Sequence, residues 1–122
     1  MSRLLLTFAC LVPLLTVGSA APPPITLTVT PAHGFAPMTV RARATIQPHP
    51  ANRVLCFIWD ASDGEAGSRC YGHEGTDAPY TREERIILRA GTYGMIVYVA
   101  RVGEPSPQSS VVPITVIDTI PQ

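Results

Sequence analysis

Val54-Leu55-Cys56-Phe57-Ile58-Trp59-Asp60, followed by Ala61-Ser62-Asp63-Gly64, is the stretch whose reading decides the fold. Side chains alternate between the two faces of a strand. Leu55, Phe57 and Trp59 therefore share one face, and Val54, Cys56, Ile58 and Asp60 share the other. Both faces are largely apolar, which is the pattern of a strand in the middle of a sheet. Asp63 and Gly64 suit the backbone angles of a tight turn, so the strand ends there. A second run of the same kind opens at Ala90-Gly91-Thr92-Tyr93-Gly94. It places Tyr93, Met95, Val97 and Val99 on one face and Ile96 and Tyr98 on the other.

Shorter strands flank these two. Ile25–Thr30 alternates apolar and hydroxyl residues. Met38–Ile46 turns Met38, Val40, Ala42, Ala44 and Ile46 one way and Thr39, Arg41, Arg43 and Thr45 toward water. Ser68–Tyr71 is a return strand after the turn at residues 62–67. Arg85–Arg89 carries Ile86 and Leu88 inward. Val111–Ile117 is interrupted by Pro113, which predicts an edge position or a bulge. Residues 31–37 and 47–52 read as proline-marked turns, and 72–80 as a long polar loop. Thirteen prolines leave no room for a long helix. The expectation is an all-β chain: an immunoglobulin-like antiparallel β-sandwich of about seven strands over residues 25–118. A small antiparallel barrel shares most of these strands and is the alternative.

The ends read differently. Arg3, the apolar stretch Leu4–Leu15 and the small residues Gly18-Ser19-Ala20 have the form of an export signal over residues 1–20. Residues 21–24 are a proline-rich leader, and 119–122 a short tail. A lipoprotein reading of Cys10 fits poorly, because Phe8 is bulky and apolar sequence continues beyond the cysteine. Cleavage would leave about 100 residues, enough for one core and not two. The expected location is secreted or cell surface, with membrane contact only through export. Nine arginines and no lysine stand against nine acidic residues. No basic stripe argues for nucleic acid.

Export also bears on the cysteines. Cys56 and Cys70 remain after cleavage, in an oxidising setting. Their midpoint is Asp63, in the predicted turn, so a hairpin centred there sets them opposite each other on neighbouring strands. A disulfide is expected between them, within one sheet rather than between sheets.

Two fragments of the chain resemble the polycystic-kidney-disease (PKD) type of immunoglobulin-like domain: Trp59-Asp60-Ala61-Ser62-Asp63-Gly64, and Gly91-Thr92-Tyr93 followed by Met95, Val97 and Val99. Ser62 stands where a glycine is common in that family, and Ala90 where proline is usual. The resemblance spans residues 25–118. It implies a spacer, adhesion unit or accessory binding module, seldom catalytic alone. Trp59 is expected as a plug in the core, inward with Leu55 and Phe57 and with Tyr93, Met95 and Val97 of the neighbouring central strand. The Tyr93 hydroxyl is expected to bond nearby backbone, as in the tyrosine corner of sandwich domains.

No enzymatic motif is present: no HExxH, no nucleophile elbow, no phosphate loop. The expectation is no catalysis, no cofactor and no metal. His33, His49 and His73 fall in loops, and Asp60, Asp63, Glu65 and Asp77 match no calcium-loop spacing. The leading functional reading is a structural or assembly module acting through protein–protein contacts, its partner a second copy or another surface protein. Its basis is the outer face of the central strands. With Leu55, Phe57 and Trp59 inward, that face carries Cys56, Ile58, Ile96 and Tyr98, and an apolar patch of this kind marks an interface. Ile58, Ile96 and Tyr98 are the candidate interface residues. Two alternatives stand beside it. One is a glycan- or protein-recognition domain using the 72–83 loop with Tyr71, Tyr80 and Tyr98. The other is an accessory or inhibitor subunit of an exported enzyme.

Overall fold

The computed structural model describes residues 23–62, 66–74 and 78–118. The expected export signal and tail lie outside them, as do Asp63, Glu65 and Asp77. Among the described residues the strands are β1 (Ile25–Thr30), β2 (His33–Phe35), β3 (Met38–Ile46), β4 (Asn52–Ala61), β5 (Ala66–Gly72), β6 (Tyr80–Leu88), β7 (Gly91–Arg101) and β8 (Val112–Ile117). They form a three-stranded sheet of order β1-β3-β6 and a five-stranded sheet of order β2-β8-β7-β4-β5. The chain changes sheet after β1, β2, β3, β5 and β6. This is the crossing pattern of an immunoglobulin-like sandwich.

The core is built from the inward half of each alternation. Val40, Ala42, Ala44 and Ile46 of β3 and Ile86 and Leu88 of β6 line one sheet. Leu55 and Phe57 of β4, Tyr93, Met95, Val97 and Val99 of β7, and Ile114 and Val116 of β8 line the other. Each large apolar side chain fully buried in this way contributes about 1.5–3 kcal/mol relative to exposure. β4 and β7 pair antiparallel in the middle of the five-stranded sheet, Phe57 opposite Val97 and Ile58 opposite Ile96. The Tyr93 hydroxyl donates to the Arg89 carbonyl at 2.9 Å, so this ring end is satisfied as it enters the core.

Four local expectations are corrected. Residues 31–37 are not only a turn: His33–Phe35 form β2, which pairs with β8 in parallel, so the sandwich is not wholly antiparallel. Pro31, with no N–H to give a ladder, ends β1 and lets the chain pass to the other sheet. β6 begins at Tyr80, not Arg85, because Arg82 and Glu84 occupy inward positions opposite Ala44 and Ala42 and hide the apolar alternation. β8 is not an edge, although β2 covers only Thr115–Ile117 and leaves Pro113 unpaired on that side. Trp59 is half-buried rather than a central plug. Its cross-strand partner is Gly67, and the indole lies where a Cβ at that position would sit. The aromatic ring thus covers a bare glycine backbone near the sheet edge.

Candidate functional site

The outward face of the five-stranded sheet is the first candidate. Cys56 faces Cys70 across β4–β5, with Cα atoms 4.0 Å apart, and the two are joined by a disulfide. On the other side of β4, Cys56 is opposite Tyr98 and Ile58 is opposite Ile96. Ile58, Ile96 and Tyr98 all point away from the core and are half-buried by their neighbours. The register extends the patch beyond these three residues. Gly94 lies opposite Pro113, and Val111, 62% exposed, packs its side chain against the space over Gly94. Toward the far end, Phe35 of β2 pairs with Ile117 of β8, and they are 63% and 50% exposed. Thr92 and Thr115 interrupt the apolar run between them. Phe35 was unreadable as a face residue without β2, and Val111 lies just before β8 begins.

The outward face of the three-stranded sheet has the opposite character. It carries Thr26, Thr28, Thr39, Arg41, Arg43, Thr81, Glu83 and Arg85, all exposed. Glu83 sits 3.4 Å from Arg41 Nε and 4.0 Å from Arg43. Exposed pairs of this kind contribute little to stability. Ile87, though 70% exposed, is an isolated apolar residue there.

A second cluster closes the side of the sandwich where the edge strands β5 and β6 approach each other. Glu84 of β6 accepts hydrogen bonds from Tyr71 Oη at 2.6 Å and from Arg69 Nη1 at 2.8 Å, both on β5. The Arg82 guanidinium stacks 3.6 Å over the Tyr71 ring, and its Nε, buried without a hydrogen bond, lies 3.6 Å from Glu84 Oε1. Burial, at 12% side-chain exposure, pushes the Glu84 carboxyl up. The Tyr71 and Arg69 hydrogen bonds and the charges of Arg69 and Arg82 outweigh it and hold the group below its ordinary value. His73 is buried and stacks on Tyr80, ring centroids 4.8 Å apart, and burial lowers its pKa against the opposing pull of Glu74. His73 lies in the loop after β5, as expected, with its ring buried; His33 is the histidine that leaves its expected loop, for β2. Tyr71 and Tyr80 take part in this closure, and residues 80–83 of the expected 72–83 loop belong to β6.

A third polar group is structural. Asn52 is fully buried, its Nδ2 donating to the Gln47 carbonyl and its Oδ1 accepting from Arg101 Nε at 2.9 Å. Beside it, His49 Nδ1 accepts from the Ala51 N–H, and Nε2 is 3.4 Å from Glu104. These bonds order the 47–52 loop against the end of β7. Among the described residues no group of three or more His, Cys, Asp or Glu is placed to hold a metal ion, and no helix is long and apolar enough to cross a membrane.

Neither a family model nor a curated protein matches the sequence. Among solved structures, the chain is similar to the solution structure of the fn3 domain of the human collagen alpha-1(XX) chain. The TM-score is 0.44 at 18% identity, covering 84% of this chain and 88% of that one. The immunoglobulin-like assignment of this chain rests on its own strand order, with β1-β3-β6 against β2-β8-β7-β4-β5.

Proposed function

We propose that this chain is an exported, non-catalytic immunoglobulin-like module of the PKD type. In this reading it acts through protein–protein contacts on a cell, filament or particle surface. The contact face is the outward side of the five-stranded sheet, centred on Ile58, Ile96 and Tyr98. One observation carries the proposal. The two sheets bury equivalent inner faces, yet the three-stranded sheet covers its outer face with arginine, glutamate and threonine, while the five-stranded sheet carries Ile58, Ile96, Tyr98 and Val111 there, with Asp60, Ser68, Thr92 and Thr115 around them. An apolar outer surface that the fold does not require is retained for something that covers it. The Cys56–Cys70 disulfide supports the location, because such bonds persist in oxidising compartments. The glycan reading loses two of its three tyrosines to the β5–β6 closure, which leaves Tyr98 alone on the patch.

The test is sedimentation of the purified protein over a wide concentration range, with recovery of stoichiometric partners from its native surface. The expected result is association by the wild type that Ile96→Thr with Tyr98→Ser abolishes, while the melting midpoint stays within a few degrees. A wild type that remains monomeric at high concentration, with no stoichiometric protein partner, would overturn the reading.

A further inference from the structure

The outward face of the three-stranded sheet carries more positive charge than its one carboxylate matches. The register sets its outward residues in rows across β1, β3 and β6. Thr28, Arg43 and Glu83 form one row, and Thr30, Arg41 and Arg85 the next. Glu83 lies 3.4 Å from Arg41 Nε and 4.0 Å from Arg43, so it is shared between them. Arg85 stands directly opposite Arg41, and among the described residues no carboxylate pairs with it. Like charges directly opposite each other on neighbouring strands destabilise a sheet. Arg53, Arg69, Arg82 and Arg101 differ: each has a carbonyl or carboxylate partner within the fold.

The space around the pair is shaped. An open depression of about 330 Å³ is lined by Thr30, Pro31, Thr39, Val40, Arg41 and Arg85. A second, of about 190 Å³, adjoins it through Thr30 and Arg41 and reaches Thr28, Arg43 and Glu83. Together they follow β3 from Thr39 to Arg43, about 13 Å at about 3.3 Å per residue. Among the described residues the Thr28, Thr30 and Thr39 hydroxyls have no protein hydrogen-bond partner, whereas those of Thr45 and Thr81 lie 3.3 Å apart and bond each other. The Arg85 carbonyl accepts from Arg69 Nη1 at 3.0 Å, which fixes the backbone that carries the unmatched guanidinium.

We infer that this groove binds an acidic polysaccharide, with a sulfate or carboxylate group seated between Arg41 and Arg85. A guanidinium presents its N–H groups in a planar fork that matches such anions. An anion between the two arginines replaces their repulsion with two charge-assisted contacts. The threonine hydroxyls beside it both donate and accept, which suits sugar hydroxyls. The groove continues past one anion toward Arg43, so it fits a chain of repeating units rather than a single ion. Among the described residues this face offers no aromatic ring on which a nucleic-acid base could stack. Apart from Ile87, 70% exposed, it has no apolar side chain to enter a lipid layer. The site lies on the other sheet from Ile58, Ile96 and Tyr98, so the two contacts fail independently.

Titration calorimetry on the full chain tests this with dextran sulfate and alginate, which carry sulfate and carboxylate groups. Unmodified dextran and phosphatidylglycerol vesicles serve as comparisons. The expected result is binding of one or both acidic polymers, weakening as salt rises, and no binding of dextran. Arg85→Gln is expected to weaken binding at least fivefold. Glu83→Gln frees Arg41 and Arg43 of their carboxylate and is expected to tighten binding at least twofold. Arg53→Gln removes one positive charge from the other sheet and is expected to change affinity less than twofold. Ile96→Thr with Tyr98→Ser is expected to leave it unchanged. Glu83, Arg85 and Arg53 are exposed, so melting midpoints near that of the wild type show that each variant folds. Failure of both acidic polymers to bind, equal binding of dextran, or tighter binding of the vesicles overturns the inference. So does a loss in Arg53→Gln, or in Ile96→Thr with Tyr98→Ser, as large as that in Arg85→Gln.

Discussion

The two outward faces differ more than the two inward ones. Val40, Ala42 and Ile46 on one sheet and Leu55, Phe57 and Val97 on the other are equally dry, as the sandwich demands. Outside, Arg41, Arg43 and Glu83 solvate one sheet, while Ile58, Ile96, Tyr98 and Val111 leave the other apolar. Core packing accounts for the inward apolar residues, whereas the outward apolar ones are half-buried or exposed and take no part in the core. The face that the fold leaves undetermined is therefore the one on which function is read.

The contrast between inward and outward residues is sharpest along β4, where neighbours face opposite ways. Phe57→Ala removes a fully buried ring and is expected to destabilise the fold by about 3–5 kcal/mol, through lost burial plus a cavity. Trp59→Ala should fall short of that, because the indole is only half-buried beside Gly67. Urea unfolding measures both. A Phe57 loss under about 1 kcal/mol would mean that the inner faces are not what holds the sandwich together.

The disulfide is the outward feature with the largest expected effect on stability. It closes a short loop, 14 residues in sequence separation, for which the chain-entropy model gives about 3 kcal/mol. Replacing Cys56 and Cys70 by Ala should lower the unfolding free energy by that order. Intact mass of the unreduced wild type should show no alkylatable thiol at these positions. Two free thiols would remove the disulfide from the outer face and change its character in the comparison.

Glu84 breaks the rule that inner faces are apolar, and its effect is smaller and pH-dependent. Glu84→Gln leaves Tyr71 and Arg69 with a weaker acceptor and should cost about 1–3 kcal/mol at pH 7. The folded carboxyl titrates below its ordinary value of 4.5. The unfolded chain therefore takes up the proton first, and the stabilisation present above pH 4.5 is lost as pH falls through the folded value. His73 adds an earlier stage: its folded pKa lies below 6.5, so stability begins to decline once pH drops under 6.5. Unfolding measured from pH 7.5 to 3.5 should show decline in both ranges for the wild type and a weakened acid stage in Glu84→Gln. An unchanged acid stage would show that the β5–β6 closure contributes nothing through its carboxylate.

Much of this was legible in the residue order. The central strands, the register that joins Cys56 to Cys70, the inward set on β7 and the Tyr93 hydroxyl bond follow from alternation, turn residues and one aromatic near a strand start. What was not legible depends on partners far away in sequence. His33-Gly34-Phe35 is too short to show a period, and only β8 makes it a strand. Arg82 and Glu84 look like surface residues until Arg69 and Tyr71 arrive from β5. Trp59 belongs to the inward parity, but its depth is set by how near Gly67 lies to the sheet edge.

β2 has a consequence of a mechanical kind. Tension applied through the two ends of the domain reaches β2 from its N-terminal side and leaves β8 from its C-terminal side. The two strands run in the same direction, so these pulls are opposed along a common axis. The bonds from the Thr115 N–H to the Ala32 carbonyl, 2.9 Å, and from the Ala36 N–H to the Ile117 carbonyl, 2.8 Å, are then loaded together in shear. A hairpin pulled at its open end would instead lose its bonds singly, in sequence. The shortest strand of the sandwich is thereby a latch between its two ends, set to resist stretching along the chain.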